Sequence, residues 1–349
     1  MRRTAAPIAK TATRRGDEPQ VRIDIAGSLP MPWWLPPCLK YRQVVAAPPL
    51  PPLLPYRLVS SRWWILTGLY LVFGVLGALY LWGTTSFGAD HQTYQRAADA
   101  LWSTGDPYRD AGLYPEDYRY RYPPLLAMVF PLLGWPPLWF GLVAIATVVP
   151  IYLAWRQAGP AGLLPAALLV GAWGQQLLNG NAQAFVVALL ALVPLAGAWG
   201  AVGLALATML KLHPALAIVW YLGRREWQLL GWYLAAMAVL VVIQLPWLGA
   251  FVDFYMHDPV ATESIPGMSL RVLGTVPWLI ILAAFAVAAY LLAPSRYGWL
   301  MATVLQLVAL PRILLVNLAL LLAAPLPRRD DATGPNRAAA TRSGSTGKE

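Results

Sequence analysis

Carboxylates, tyrosines and arginines concentrate in one segment of this chain, residues 83–121. Six of the sixteen Asp and Glu residues lie there, together with four arginines. A carboxylate within hydrogen-bonding reach of a hydroxyl group can take its proton, and aromatic faces and arginine forks suit sugars and phosphates. The same residue types are also common in the headgroup region of a bilayer. Tyr108 and Arg121 are candidates for substrate binding in this segment.

A short helix is predicted to begin at Asp90. An apolar face follows at helical spacing, formed by Tyr94, Ala97, Ala98 and Leu101. Gly105 is a natural helix end, so the pattern predicts an amphipathic helix along a membrane surface. Asp90 is either the N-cap of this helix or a catalytic carboxylate. His91 either orients Asp90 or is an ordinary surface residue. His91 and Tyr94 are further candidates for substrate binding.

Two basic residues lie inside an otherwise apolar run, residues 201–222. Ionisable groups at membrane depth are costly and usually face a cavity or a partner. This makes Lys211 and His213 candidates for binding a phosphate. The alternative is that the helix ends early and Lys211 extends its ammonium group to the membrane interface.

A second polar segment, residues 249–276, carries further candidates. Its charged and titratable side chains are Asp253, His257, Asp258, Glu263 and Arg271. This segment could close over the first one, with His257 and Arg271 contacting substrate, or these side chains are simply solvated.

Metal and cofactor motifs are absent from the sequence. It has no Gly-rich loop ending in Lys-Ser or Lys-Thr, no paired histidines at metal-ligand spacing and no Gly-x-Ser-x-Gly turn. Three His and one Cys argue against a structural zinc site. Asp90 and Asp258 could share a divalent cation, but we predict a reaction without a metal or cofactor.

The composition is that of an integral membrane protein. Of 349 residues, 58% are hydrophobic and 12% are charged, whereas soluble domains carry about 25% charged residues. This excludes a soluble enzyme and a disordered chain. A disulfide-stapled module is excluded because Cys38 is the only cysteine.

The net charge of +10 comes mainly from the two ends of the chain. Residues 1–62 carry +7 and residues 327–349 carry +2, whereas residues 83–121 carry −2. Cytoplasmic segments of membrane proteins carry more Lys and Arg than external ones, which accounts for this distribution. Nucleic acid is therefore not an expected partner. We predict a Pro-rich basic cytoplasmic arm over 1–62 and a disordered cytoplasmic tail over 327–349.

Residues 63–326 are predicted to form the transmembrane domain, with a cytoplasmic N-terminus and segments 83–121 and 249–276 outside. The fold class is all-α and polytopic, with nine or ten spans. The predicted spans are 63–82, 123–134, 137–155, 161–178, 183–199, 201–222, 227–248, 277–293, and one or two within 298–326.

Several runs together resemble a known family. They are Asp90, Tyr94, Ala97, Leu101 and Gly105-Asp106-Pro107-Tyr108; Tyr120-x-Tyr122-Pro-Pro-Leu125; Gly180-Asn181-Ala182-Gln183; Lys211 with Pro214; and Arg224-Arg225-x-Trp227. Over about residues 63–250 the chain resembles glycosyltransferase family 87 of the GT-C superfamily. The Gly-Asn-Ala-Gln run departs from the family's usual order, Gly-Gln-x-Asn.

The resemblance implies an inverting membrane transferase that takes a sugar from a polyprenyl-phosphate carrier. The acceptor would be a lipid or a cell-envelope glycan, and membrane lipids would surround the protein. Mannose is the expected sugar and arabinofuranose the alternative. The family's essential acid follows the first span, which corresponds to Asp90 as general base. A transporter or flippase, and a non-catalytic relative of the family, stay open as alternatives.

Overall fold

The structure is a computed structural model that describes residues 87–109, 119–257, 273–310 and 315–324, with a few positions between 68 and 79. All of these lie in one of the two units of the chain, Val59–Glu349. The predicted arm 1–62, the tail 327–349 and most of the predicted span 63–82 lie outside the described residues. The described residues form helices and no strand, which confirms the all-helical fold.

The described helices follow one another with short connections. The α-helices are α1 (Ala89–Thr104), α2 (Pro124–Leu133), α3 (Pro136–Ala158), α4 (Leu164–Leu168), α5 (Val170–Asn179), α6 (Gln183–Leu192), α7 (Ala198–Leu210), α8 (Ile218–Arg224), α9 (Trp227–His257), α10 (Thr275–Leu292) and α11 (Gly298–Val308). Three 3₁₀ segments accompany them, Gly159–Leu163, His213–Ala217 and Leu315–Ala323.

Three helices in the described part of the chain are long and apolar enough to cross a membrane. They are Pro136–Gln157, Trp227–His257 and Thr275–Leu292. Many apolar side chains of α9 and α10 are exposed. Such surfaces are unfavourable in water, whereas a helix that bonds its own backbone groups is stable in lipid. The chain is therefore a membrane protein, and the count of nine or ten spans stays a prediction.

Several predicted spans are wrong in extent. The run 161–178 is divided between a 3₁₀ segment, α4 and α5, and the run 183–199 stops at Leu192, two residues before Pro194. The run 201–222 breaks at Lys211, whose backbone is extended, and a 3₁₀ turn containing Pro214 follows. Proline lacks the N–H group that would bond to the preceding turn of a helix, and its ring crowds that turn, so apolar composition alone overestimates these lengths.

The predicted helix around Asp90 is present as α1. Its apolar face, Tyr94, Ala97, Ala98 and Leu101, is buried, and Gly105 ends it in the left-handed conformation. The N-cap interpretation of Asp90 is wrong, because Gly88 is the capping residue and Asp90 lies inside the first turn. The carboxylate of Asp90 is therefore free to serve another purpose.

A cluster of aromatic side chains packs beneath α1 and fixes its position. It joins α1 to α2, α3 and α9 through the buried residues Tyr94, Tyr120, Phe130, Trp139 and Phe251. Tyr94 meets the rings of Phe130 and Trp139 edge to face, at centroid distances of 5.8 and 5.7 Å. Edge-to-face pairs add to the stabilisation from burial, so α1 rests on a rigid base.

Gly180, between α5 and α6, occupies a position where a side chain does not fit. Its φ is +70°, and an added Cβ would lie 3.0 Å from the indole nitrogen of Trp139. We expect Gly180→Ala to lower the unfolding free energy by about 1–2 kcal/mol for the left-handed backbone, and further through crowding. Gly105→Ala is the matched control, because Gly105 has φ +81° and open space around its Cβ position. Thermal unfolding in detergent should give a larger loss for Gly180→Ala, and equal losses would contradict the crowding.

Candidate active site

Asp90 lies in the first turn of α1, where Asn181 holds its carboxylate. The Asn181 side-chain amide donates to Oδ2 of Asp90 at 2.9 Å. Asn181 is buried, whereas Asp90 keeps part of its surface exposed. The carboxylate is therefore fixed in direction and still reachable by a substrate.

The turn that carries Asn181 is tied to α1 and α3 by backbone groups. The Gly88 N–H donates to the Leu178 carbonyl at 2.9 Å, and the Ala182 N–H donates to the Tyr94 hydroxyl at 3.1 Å. On its other side the Trp139 indole N–H donates to the Gly180 carbonyl at 2.8 Å. These bonds hold residues 178–182 against the start of α1 and keep Asn181 opposite Asp90.

Lys211 brings a positive charge to the same place. It follows the last residue of α7, and its extended backbone turns the chain out of that helix. Its Nζ lies 5.2 Å from the centroid of the Tyr122 ring, and its charge acts on Asp90. The side chain is partly exposed, so the ammonium group can also meet a ligand.

The environment of Asp90 shifts its pKa through two opposing influences. Burial raises the pKa of Asp90 above its usual value, because the charged form loses water. The charge of Lys211, the hydrogen bond from Asn181 and the nearby amide of Asn179 lower it in part. A carboxylate with a raised pKa is a stronger base than an ordinary aspartate, and the three neighbours keep its charged form accessible.

Tyr94 and Tyr108, both predicted to bind substrate, lie inside the structure instead. Tyr94 is 0% exposed and its hydroxyl bonds to Ala182 and Tyr122. Tyr108 is 6% exposed and donates to the Tyr122 carbonyl at 2.6 Å. With so little exposed surface, both residues position their neighbours rather than touch a substrate.

The segment around Tyr122 is attached to α9 at two points. The Tyr255 hydroxyl donates to the Arg121 carbonyl at 2.7 Å. The Leu125 N–H donates to the Gln244 side-chain oxygen at 2.8 Å. Arg121, a predicted substrate-binding residue, is partly buried beside Tyr122, so the structure keeps it next to the site.

The histidines have separate environments. His91 Nε2 donates to the Gly134 carbonyl at 2.7 Å, and its ring packs against Phe130 and Phe140, so it supports the fold and does not orient Asp90. His213 is half-buried near Lys211 and Gln306, and both its ring nitrogens are buried with no hydrogen-bond partner among the described residues.

Within the described part of the second polar segment, Tyr255 bonds to Arg121, whereas the charged and titratable side chains Asp253 and His257 lie in exposed positions. α9 continues beyond the predicted span end at 248 as far as His257. The ring of His257 pairs with Asp253 of the same helix at 3.0 Å, and both side chains are exposed. Arg271 and Asp258 lie outside the described residues. Within the described residues no three His, Cys, Asp or Glu side chains are placed to hold a metal ion.

Two residues of this site were not among the predicted ones, Asn181 and Tyr122. Asn181 lies in the Gly-Asn-Ala-Gln run, which could have pointed to it. Because this run departs from the family's usual order, Asn181 was not predicted to be part of the site. Tyr122 stood in a row of tyrosines whose roles are not distinguishable by spacing. We name the group formed by Asp90, Asn181, Tyr122 and Lys211 the carboxylate site.

A comparison with protein-family models identifies the family to which the chain belongs. The model of glycosyltransferase family 87 matches residues 120–346, well over half of the sequence. The chain belongs to glycosyltransferase family 87. No curated protein and no solved structure matches it. As a member of family 87 the protein is a membrane glycosyltransferase, and it needs a sugar donor and an acceptor. The match includes Asn181, Tyr122 and Lys211, whereas Asp90 precedes it.

Substitutions at Asn181 should change the pH dependence of this family 87 enzyme. Asn181→Asp keeps the acceptor for the Gln183 N–H but places a like charge beside Asp90, which raises the pKa of Asp90. If Asp90 acts in its charged form, the acid limb of the pH–rate profile moves to higher pH. We expect roughly tenfold slower transfer at neutral pH, since a hydrogen bond to a charged group contributes about 1.5–3 kcal/mol.

Asn181→Ala gives an intermediate case, because it removes the hydrogen bond without adding charge. The acid limb should lie at increasing pH in the order wild type, Asn181→Ala, Asn181→Asp. Superimposable limbs for the three proteins would mean that Asn181 does not act on the base.

Proposed function

We propose that this family 87 glycosyltransferase transfers mannose from a polyprenyl-phosphate carrier to a lipid or cell-envelope glycan acceptor, with inversion at the anomeric carbon. Asp90 is the general base. The observation that carries the proposal is the carboxylate site itself, a partly exposed carboxylate with a raised pKa opposite a partly exposed lysine. One group accepts a proton and the other neutralises a phosphate.

The proposed reaction is a single displacement. The acceptor hydroxyl loses its proton to the Asp90 carboxylate as its oxygen attacks the anomeric carbon. The bond from that carbon to the phosphate oxygen breaks, and its electron pair leaves with the polyprenyl monophosphate. This leaving group is already acidic, so a second protein acid is not required. A positive charge near the phosphate stabilises the charge that develops there, and Lys211 supplies it.

The proposed topology follows from the charge distribution. The basic arm 1–62 stays in the cytoplasm, and α1 then lies on the extracytoplasmic side of a multi-pass protein of the cell membrane. In this orientation the carboxylate site faces carriers whose sugar is presented outside. In this proposal α1 lies near the membrane surface, where both the lipid-linked donor and a lipid acceptor reside.

Sugar transfer in isolated membranes tests the proposal. Membranes with and without the protein are incubated with radiolabelled polyprenyl-phosphate-mannose, and extracted lipids are separated. A labelled product that requires the protein supports the mannosyltransferase. A product seen only with polyprenyl-phosphate-arabinofuranose would mean that the transferred sugar is arabinofuranose and that the carrier is still a polyprenyl phosphate. No product with either donor, together with donor movement across the membrane, would favour the flippase alternative.

A further inference from the structure

The hydroxyl of Tyr122 ends a chain of hydrogen bonds that begins in the protein backbone. The Ala182 N–H donates to the Tyr94 oxygen at 3.1 Å, and the Tyr94 and Tyr122 oxygens lie 2.9 Å apart. An N–H group can only donate, so the direction of the first bond is fixed. The direction of the second bond decides what Tyr122 can offer to a ligand.

Burial decides that direction. Tyr94 is 0% exposed, and Tyr122 is its one acceptor in the described part of the chain. If Tyr122 donated instead, the Tyr94 proton would be buried without a partner, which is unfavourable. Tyr94 therefore donates to Tyr122, and the proton of Tyr122 is left to point elsewhere. No acceptor for that proton lies within hydrogen-bonding distance in the part of the chain that the structure describes.

Tyr122 is also placed where a ligand can reach it. Tyr122, Asp90 and Lys211 are each partly exposed, in contrast to the buried Tyr94 and Asn181. Lys211 Nζ is 5.2 Å from the centre of the Tyr122 ring. Burial, and after it the charge of Asp90, raise the pKa of Tyr122 above its usual value, so its hydroxyl keeps its proton at neutral pH.

The position of Tyr122 is fixed before any ligand arrives. Its carbonyl accepts from the Tyr108 hydroxyl, and its ring meets that of Tyr94 edge to face at 5.2 Å. A preformed donor of this kind stabilises negative charge without further rearrangement.

We propose that Tyr122 is a further donor-binding residue, whose hydroxyl donates a hydrogen bond to the phosphate of the polyprenyl-phosphate sugar beside Lys211. The proposal rests on the function proposed above and adds to it a residue that binds the phosphate. A phosphate is favoured over a sugar hydroxyl because the neighbouring group is a cation, and a proton donor next to a cation suits an anionic oxygen.

Direct binding measurements test this role without relying on catalysis. Wild type and Tyr122→Phe, each in lipid nanodiscs, are titrated with a polyprenyl monophosphate and with the matching polyprenol, which lacks the phosphate. We expect Tyr122→Phe to raise the Kd for the monophosphate about tenfold and to leave the Kd for the polyprenol unchanged.

Tyr221→Phe is the matched control, since the Tyr221 hydroxyl in α8 is buried with no hydrogen-bond partner in the described part of the chain and does not belong to the carboxylate site. It should bind both lipids as wild type does. Unfolding midpoints show whether Tyr122→Phe keeps its fold. Tyr122→3-fluorotyrosine is a second test that retains the hydroxyl. Its more acidic proton should lower the Kd for the monophosphate.

The outcomes separate the two proposals. Equal monophosphate affinity in wild type and Tyr122→Phe overturns the role of Tyr122 and leaves the proposed donor class intact. A third titration uses the sugar-loaded carrier, and a Kd that Tyr122→Phe raises for this lipid alone means that Tyr122 contacts the sugar, which also overturns the phosphate assignment. If wild type binds the monophosphate no better than the polyprenol, the proposed donor class fails and the role of Tyr122 fails with it.

Discussion

Asp90→Asn should reduce sugar transfer by roughly 10²–10⁴-fold, the usual contribution of a positioned general base. Asparagine has nearly the same shape, and its amide oxygen can still accept from Asn181, which holds the aspartate at 2.9 Å. It cannot take a proton from an acceptor hydroxyl. The loss should therefore fall on kcat, with little change in the KM for the donor, and initial rates at saturating donor measure it.

Asp99→Asn is the matched control for this substitution. Asp99 lies on the same helix, is exposed, and accepts a hydrogen bond from Gln95 at 3.0 Å. Transfer by Asp99→Asn should equal that of wild type at the same protein level. If Asp90→Asn also transfers at the wild-type rate, Asp90 is a structural residue of α1 and the base lies elsewhere.

Lys211→Met should lower kcat/KM for the donor by roughly 10²–10³-fold, the range observed when one preorganised stabilising group is removed. Methionine retains much of the length of the side chain without its charge. The substitution should also move the acid limb of the pH–rate profile. The charge of Lys211 lowers the pKa of Asp90, so its loss raises that pKa, and the base becomes protonated at a higher pH than in wild type.

Arg296→Met is the matched control, because it also removes a cation that lies over an aromatic ring. Arg296 lies 4.7 Å from the ring centroid of Tyr297, and both residues are exposed. This control should change neither kcat/KM nor the pH profile. If Lys211→Met kept a normal profile and normal donor kinetics, Lys211 would only extend its charge to the membrane interface.

The sequence predicts the parts of this fold that depend on local spacing. The buried face of α1 and its end at Gly105 follow from residues within one or two turns of each other. The N-cap prediction fails because Gly88, which has a left-handed φ of 74°, takes that position before Asp90. The run 201–222 looks continuous by composition, and the effect of Lys211 and Pro214 on its backbone depends on how the chain packs.

The carboxylate site is only partly predictable, for a physical reason. Asp90 and Lys211 are unusual in their surroundings, since each is a charged residue beside apolar runs. Asn181 is an ordinary amide until the fold brings it to Asp90 across 91 positions of sequence. Tyr122 differs from Tyr94 and Tyr120 only in exposure and in where its proton points, which are properties of the packed structure.

The two attachments of residues 121–125 to α9 place Tyr122 between two fixed points. Gln244 and Tyr255 are separated by roughly 16 Å along the helix, and they hold the backbone on both sides of Tyr122. A displacement of α9 would therefore carry the Tyr122 hydroxyl with it relative to Asp90 and Lys211. The spacing within the carboxylate site is thus coupled to the position of a helix that is long and apolar enough to cross a membrane.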